Sequence, residues 1–271
     1  MTLLTVGAAM PSTKLPDFIN WLNESSRDLE LQDPVNVEIL DGDWQSHAAQ
    51  IKSILDGYTG RIGVHGPFIS LTLAAHDPKI RAVVSGRMLQ SLDFCAEIGA
   101  THMVVHSPTN FLGTPFLPHT GTMDQEYVLD ALHETLKDVL PKAAQIGCTL
   151  VMENIFDQDP GFWVTMVKSF NSDHLRCSVD TGHAHINHMR GAPPVDYWLR
   201  EAGPLLDHVH IQDTDGHSDR HWLPGEGTIR WASVFRELEK IEQKPRLLLE
   251  LADVDRTIEA AAWLKSQGLA Q

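Results

Sequence analysis

The 271-residue sequence predicts an α/β protein, a single-domain (β/α)8 TIM barrel covering residues 1–271. Three observations predict it. Eight short apolar, β-branched runs alternate with amphipathic stretches, the signature of parallel strands joined by right-handed helical crossovers. The length matches one barrel of about 250 residues, and no Pro-, Gly- or Ser-rich linker divides it. The first run is followed by Gly7-Ala8-Ala9-Met10-Pro11, which is not the Gly-rich phosphate loop of an open doubly wound sheet.

In chain order, the strand candidates are Leu3–Ala8, Val35–Leu40, Arg61–His65, Thr101–His106, Cys148–Glu153, Leu175–Asp180, Leu206–Ile211 and Arg246–Leu251. Each is a short run rich in Val, Ile and Leu, as strands covered on both faces require. The helix candidates between them are Leu15–Ser26, Trp44–Leu55, Ile80–Ile98, Tyr127–Ile146, Trp231–Glu242 and Thr257–Ser266. Tyr127, Leu129, Leu132, Leu136, Val139 and Leu140 recur at the spacing of one apolar helical face.

Composition removes several function classes. Lys+Arg 21 against Asp+Glu 36 gives a formal charge of −15, which argues against binding long nucleic acid, because phosphate backbones demand a basic face. No apolar run approaches the roughly 20 residues of a membrane span, and Met1 to Met10 carries no basic segment of a signal peptide. Cys95, Cys148 and Cys177 read as free buried thiols, so the expected compartment is a reducing cytoplasm. The composition is compatible with a homo-oligomer.

Fifteen histidines are the outlier. Polar residues close four successive strand candidates, at His65, His106, Glu153 and Asp180, and lie next to the ends of the following two, at His210 and Glu250. In a barrel these ends converge on one mouth, where the active site lies. Imidazole and carboxylate are ligands for zinc and similar divalent ions. His183 follows Asp180 where a helix should start, and Asp219 and His221 share the loop after the seventh strand. Nine ligands exceed the four or five of a mononuclear site, so the arithmetic favours two or three ions, zinc foremost, with manganese, iron or magnesium as alternatives. His208 shares a strand face with His210, whereas His102 starts its strand at the end away from the mouth. His47, His76, His119, His133 and His174 read as surface residues, and His185, His188 and His217 as solvated neighbours of the site.

The segments Val64-His65-Gly66-Pro67-Phe68, Val104-Val105-His106, Met152-Glu153-Asn154 and Val179-Asp180-Thr181-Gly182-His183 resemble the xylose-isomerase-like TIM-barrel superfamily. So do His208-Val209-His210-Ile211-Gln212-Asp213, Asp219-Arg220-His221, Pro224-Gly225-Glu226-Gly227 and Leu249-Glu250. The superfamily includes sugar isomerases, ketose epimerases and endonuclease IV. Likeness to the epimerases implies one metal on Glu153, Asp180, His210 and Glu250, with Glu153 and Glu250 as acid and base. Likeness to endonuclease IV implies three zinc ions: one on His65, His106 and Glu153; one on Glu153, Asp180, His210 and Glu250; one on His183, Asp219 and His221. Such a cluster suits phosphoester hydrolysis.

The chain departs from the nuclease in carrying acidic mouth segments, Leu40-Asp41-Gly42-Asp43-Trp44 and Asn154-Ile155-Phe156-Asp157-Gln158-Asp159-Pro160, which repel DNA. The expected function is therefore hydrolysis of a phosphoester on a small anionic, sugar-like or nucleotide-like substrate. The alternatives are a one-metal sugar or sugar-phosphate isomerase or epimerase, and a non-enzymatic metal-storing barrel. Two long loops, Ser107–Met123 with Phe111, Pro115, Phe116, Pro118 and His119, and Gln212–Thr228 with Trp222, are expected to wall the pocket. Phe68, Arg220 and Trp222 are the expected substrate contacts, with Arg230 as a further phosphate candidate and Glu38 as an additional mouth carboxylate.

Overall fold

The computed structural model describes residues 4–109 and 122–271. Eight parallel strands close a barrel in sequence order: β1 Gly7–Met10, β2 Leu29–Leu31, β3 Ile62–His65, β4 His102–His106, β5 Thr149–Glu153, β6 Leu175–Asp180, β7 Leu206–Ile211 and β8 Arg246–Leu249. The helices lying between them in the chain are α1 Leu15–Asn23, α2 Val37–Asp41, α3 Trp44–Ile54, α4 Pro78–Ile98, α5 Thr122–Leu136, α6 Val139–Gln145, α7 Pro160–Lys168, α8 Thr181–His188, α9 Val195–Ala202 and α10 Trp231–Leu238, with α11 Thr257–Ser266 following β8. The predicted barrel is the observed one, and no described helix is long and apolar enough to cross a membrane. Cys95, Cys148 and Cys177 are free and buried, as expected.

Seven strand candidates overlap the observed strands, and the second does not. Val35–Leu40 forms part of a 3-10 turn and of α2, whose N-terminus is capped by the Asn36 side chain accepting from the Glu38 N–H. The actual strand is Leu29-Glu30-Leu31, three residues wholly buried and paired on both sides, to β1 and to β3. A carboxylate in the middle of so short a run leaves no apolar signature. Glu38 is accordingly exposed on α2 rather than at a strand end. The single helix expected over Tyr127–Ile146 breaks at Lys137-Asp138, because Pro141 has no N–H to offer the carbonyl of Lys137.

Two local features set the register of the site. A bulge between Cys177 and Ser178 sets Ser178 opposite His208 and Asp180 opposite His210. Gly63 on β3 has no alternative residue without rearrangement, since a Cβ there would stand 1.9 Å from the His102 ring. The barrel interior thus holds a polar layer of Glu30, His102, His208 and Ser178 beneath the strand ends, all wholly buried.

Candidate metal centre

The C-terminal strand ends bring the six predicted side chains together, and β2 adds a seventh, Glu30. The ligand atoms of Glu153, Asp180, His210 and Glu250 lie within 4.8 Å of one another. Those of His65, His106 and Glu153 form a second, three-residue group within the same limit, and those of His183, Asp219 and His221 a third. All of these ligand residues except the wholly buried Asp180 and His210 line a cavity of about 590 Å³ whose walls include Phe68, Ser107, Ile155, Asn187, Arg190 and Ser218.

Four of the imidazoles, those of His65, His183, His210 and His221, have one nitrogen engaged and the other aimed into the cluster. His65 Nδ1 donates to Gly66 O at 2.8 Å, His183 Nδ1 to Asn154 O at 3.1 Å, and His221 Nδ1 to Glu250 O at 3.1 Å. A carbonyl oxygen only accepts, so the proton sits on Nδ1 in all three and Nε2 faces the carboxylates. His65 Nε2 is 3.6 Å from Glu153 Oε2, and His183 and His221 Nε2 lie 3.3 and 3.1 Å from the two oxygens of Asp219. His210 is reversed: Nε2 meets Glu30 Oε1 at 2.9 Å, and Nδ1 lies 3.1 Å from Glu153 and 3.2 Å from Glu250.

Neighbours hold the carboxylates as firmly. Asp180 caps α8 by accepting from the His183 N–H at 2.7 Å, and its own N–H donates to Asn154 Oδ1 at 2.8 Å. Buried Gln212 donates to Asp219 at 2.8 Å and to Asp180 at 3.2 Å, while its carbonyl accepts from the His221 N–H. A Cβ on Gly182 would strike this amide at 2.3 Å. Gln32 donates to Glu250 Oε1 at 2.9 Å.

So many charges in one dry place displace each other's titration. Burial would lower His210, but Glu250, Glu30 and Glu153 outweigh it and raise its pKa well above the ordinary value. Burial likewise opposes protonation of His221, yet Asp219, Glu250 and Asp180 bring it up to about 9. Burial dominates at His106, lowered to about 3, and at Asp180, raised to about 6. Glu153 is held well below the usual carboxylate range, its burial overcome by His210, His183 and His65.

One atom tests whether a cation suits this set. Glu153 Oε2 is buried and has no hydrogen-bond partner among the described residues, while His65 and His106 Nε2 stand 3.6 and 3.5 Å away. Donors sharing one zinc ion at about 2.1 Å in a tetrahedron are roughly 3.4 Å apart. The orphaned oxygen and its two imidazoles have that spacing, so the donor set fits a divalent ion.

The outlying candidates separate. Phe68 lines the cavity and stacks on His106 with ring centroids 4.1 Å apart. Arg220 and Trp222 do not line it: Arg220 is ion-paired to Asp215 at 3.0 Å and lies over the Trp222 ring. Exposed Arg230 precedes α10 and does not line it either; the basic side chain on the described wall is Arg190. Phe111, Pro115, Phe116, Pro118 and His119 lie outside the described residues. His185 is buried against Thr228, and His47 is half-buried against Asp33, so neither is simply solvated. Sequence reasoning missed Glu30. Its signal was the alternation Leu29-Glu30-Leu31 ahead of the Asp33-Pro34 turn.

Comparison with known proteins completes the description. A family model described as xylose isomerase-like TIM barrel matches residues 30–267. The solved structure of a D-tagatose 3-epimerase-like protein superposes with a TM-score of 0.78 at 20% identity, over 97% of this chain and 96% of that one. A Thermus thermophilus protein from crystals soaked with zinc chloride superposes with a TM-score of 0.73 at 25% identity, over 97% of each chain. Fructoselysine 3-epimerase of Escherichia coli O157:H7 is 27% identical over 127 residues, which are 44% of this chain and 45% of that protein. With 30–267 matched by the family model and the barrel closed in the same strand order as its sequence, the chain belongs to the xylose isomerase-like TIM barrel family.

Proposed function

We propose that the protein is a divalent-metal-dependent sugar epimerase or isomerase acting on a carbon beside a ketose carbonyl. The observation that carries this reading is the convergence of Glu153, Asp180, His210 and Glu250 at a cavity that both glutamates line. The names of the relatives, an epimerase-like structure and a fructoselysine 3-epimerase, support it over the phosphoester hydrolysis expected from the ligand count.

A divalent ion on those four residues would supply Lewis acidity to the substrate carbonyl and its neighbouring hydroxyl. The chain supplies the proton transfers. Glu153 and Glu250 flank one point, His210 Nδ1, from 3.1 and 3.2 Å. Glu153, ionised and 1% exposed, suits removal of the proton from the carbon beside the carbonyl. Glu250, oriented by Gln32, returns a proton to that carbon's opposite face or to its neighbour. Phe68 provides an apolar wall for a sugar ring. Arg190, with no ion-pair partner among the described residues, would receive a phosphate or carboxylate substituent.

The test is hydrogen exchange. Metal-loaded protein incubated in D2O with neutral and phosphorylated ketoses should exchange the hydrogen beside the carbonyl, read by proton NMR. Glu153→Gln and Glu250→Gln should each slow exchange by about 10²-fold or more with the melting temperature retained. Absence of exchange across the panel refutes the reading.

One observation favours a second reading, hydrolysis at a multinuclear site of up to three ions. A one-metal epimerase gives no ligand role to His65, His106, His183, Asp219 and His221, yet they are assembled into two further groups, one of which shares Glu153. Metal analysis of protein purified without chelators decides: three equivalents with phosphoesterase activity supports hydrolysis, and one equivalent with exchange activity supports epimerisation.

A further inference from the structure

Among the described residues, Glu30 carries a carboxylate into the barrel interior with no Lys or Arg to meet it. It is 0% exposed at the centre of β2. The buried Arg246 is engaged by Asp207 at 2.6 Å, and the buried Arg27 by the carbonyls of Val6 and Gln271. Glu30 Oε1 lies 2.9 Å from His210 Nε2, and Oε2 lies 2.9 Å from His208 Nε2. His102 Nε2 approaches Oε2 to 3.5 Å. A buried charge is costly, and a layer apolar throughout would serve the fold better. The position therefore calls for a role that only an acceptor pair can fill.

The hydrogen-bond inventory defines that role. A carboxylate only accepts, so both Nε2 atoms carry protons. The proton on His208 Nε2 leaves Nδ1 as the acceptor for the Ser178 hydroxyl at 2.8 Å, which closes the chain Ser178–His208–Glu30–His210. In the metal-free chain His210 Nδ1 donates to Glu153; with the other proton held on Nε2 by Glu30, Nδ1 is the nitrogen that would give up its proton to an ion between Glu153 and Glu250. The other inward-aimed imidazoles, His65, His183 and His221, donate instead to neutral carbonyl oxygens. Among these, His210 alone leans on an anion, which makes its free nitrogen the strongest donor.

A metal ion held directly by Glu30, His208 and His210, whose ligand atoms also lie close together, is the competing account. The two 2.9 Å separations are ordinary hydrogen-bond lengths, which account for the contacts without an ion. Such an ion would also need His210 to bind through both nitrogens at once.

We infer that Glu30 is a positioning residue that locks His210 as an Nδ1 ligand and strengthens it, with His208 and Ser178 fixing the second carboxylate oxygen. The inference rests on the proposed metal site and requires no substrate. Its experiment is chelator competition for zinc on wild type, Glu30→Gln and Glu30→Leu, paired with two-bond ¹H–¹⁵N spectra of the zinc-loaded proteins. Zinc affinity should fall about 10- to 100-fold in Glu30→Leu, and less in Glu30→Gln, which keeps an acceptor and the shape. The wild-type spectrum should show His210 protonated on Nε2 with a downfield, slowly exchanging proton that Glu30→Leu loses. The metal-free melting temperature should fall in Glu30→Leu, which orphans the His208 and His210 N–H donors, and less in Glu30→Gln, but a purely structural role would lower it without moving the His210 proton. Unchanged affinity with an unchanged His210 proton overturns the inference, as does lost affinity with the His210 proton still held on Nε2. A wild-type protein that binds no zinc overturns the metal site itself, so the two failures are distinguishable.

Discussion

Replacing His221 by Asn should flatten the pH dependence of stability of the metal-free protein. Asn is the suitable replacement because His221 has φ 49°, a left-handed conformation that Asn tolerates. In the folded chain the carboxylates around His221 bring its pKa up to about 9 against the pull of burial, whereas the unfolded chain titrates near 6.5. The stabilisation is fully present below pH 6.5 and is lost as pH rises through 9, because the native state binds the extra proton in that window. The side chain is 23% exposed, and the difference of about 2.5 pKa units corresponds to about 3 kcal/mol. At roughly 2.1 cal/mol/K per residue that is about 5 °C in Tm for a chain of this length.

His183 shares Asp219 with His221 and has its own pKa raised. It takes up part of the proton binding in the variant, so about 3 kcal/mol is the upper end. The assay is urea unfolding of chelator-treated wild type and His221→Asn at pH 6.5 and pH 9. Wild type should lose up to about 3 kcal/mol more than the variant over that interval. With saturating zinc the wild-type trend should reverse, since ions replace protons on the imidazoles and bind more tightly as pH rises. Parallel losses in the two metal-free proteins would refute the account of His221 as a protonated partner of Asp219.

Two further predictions concern the scaffold. Asp213 accepts from Thr214 N, Ile229 N, Gly225 N and Trp231 Nε1 at 2.8–3.2 Å, pinning the loop that carries Asp219 and His221. Asp213→Ala should cost about 3 kcal/mol in urea unfolding by orphaning these donors and should weaken zinc binding in chelator competition. Gly63→Ala should cost about 1–3 kcal/mol through the clash with His102. Gly86→Ala, on exposed α4 surface with nothing within 4 Å, should gain up to about 1 kcal/mol; thermal melts of both read the contrast.

What the sequence made legible follows from periodicity. Strand candidates such as Thr101–His106 and Cys148–Glu153 are largely apolar runs ended by a ligand-type residue, and both features survive in one dimension. A barrel converts shared position at strand ends into proximity, so His65, His106, Glu153, Asp180, His210 and Glu250 could be grouped before any coordinates. Glu30 could not, because β2 is three residues long and owes its existence to pairing with β1 and β3. The alternation in Val35–Leu40 then misled, since an N-cap at Asn36 redirected it into a helix. Arg220 and Arg190 illustrate the same limit: charge is visible in sequence, but whether it is spent on Asp215 or left at the cavity is not.

The sequence by itself therefore determined the architecture and the residue types gathered at the barrel mouth, because repeating apolar runs and residue types are local properties. Only the tertiary structure decided which imidazole nitrogen faces the cluster, where Glu30 sits beneath His210, and which loop residues reach the cavity. Those depend on register, on the bulge at Cys177–Ser178 and on closure of the barrel, which bring together residues as far apart as Glu30 and His210. The physical reason is that a hydrogen bond is specified to a fraction of an ångström by the whole closed sheet, whereas a strand is specified by its own few residues and their neighbours.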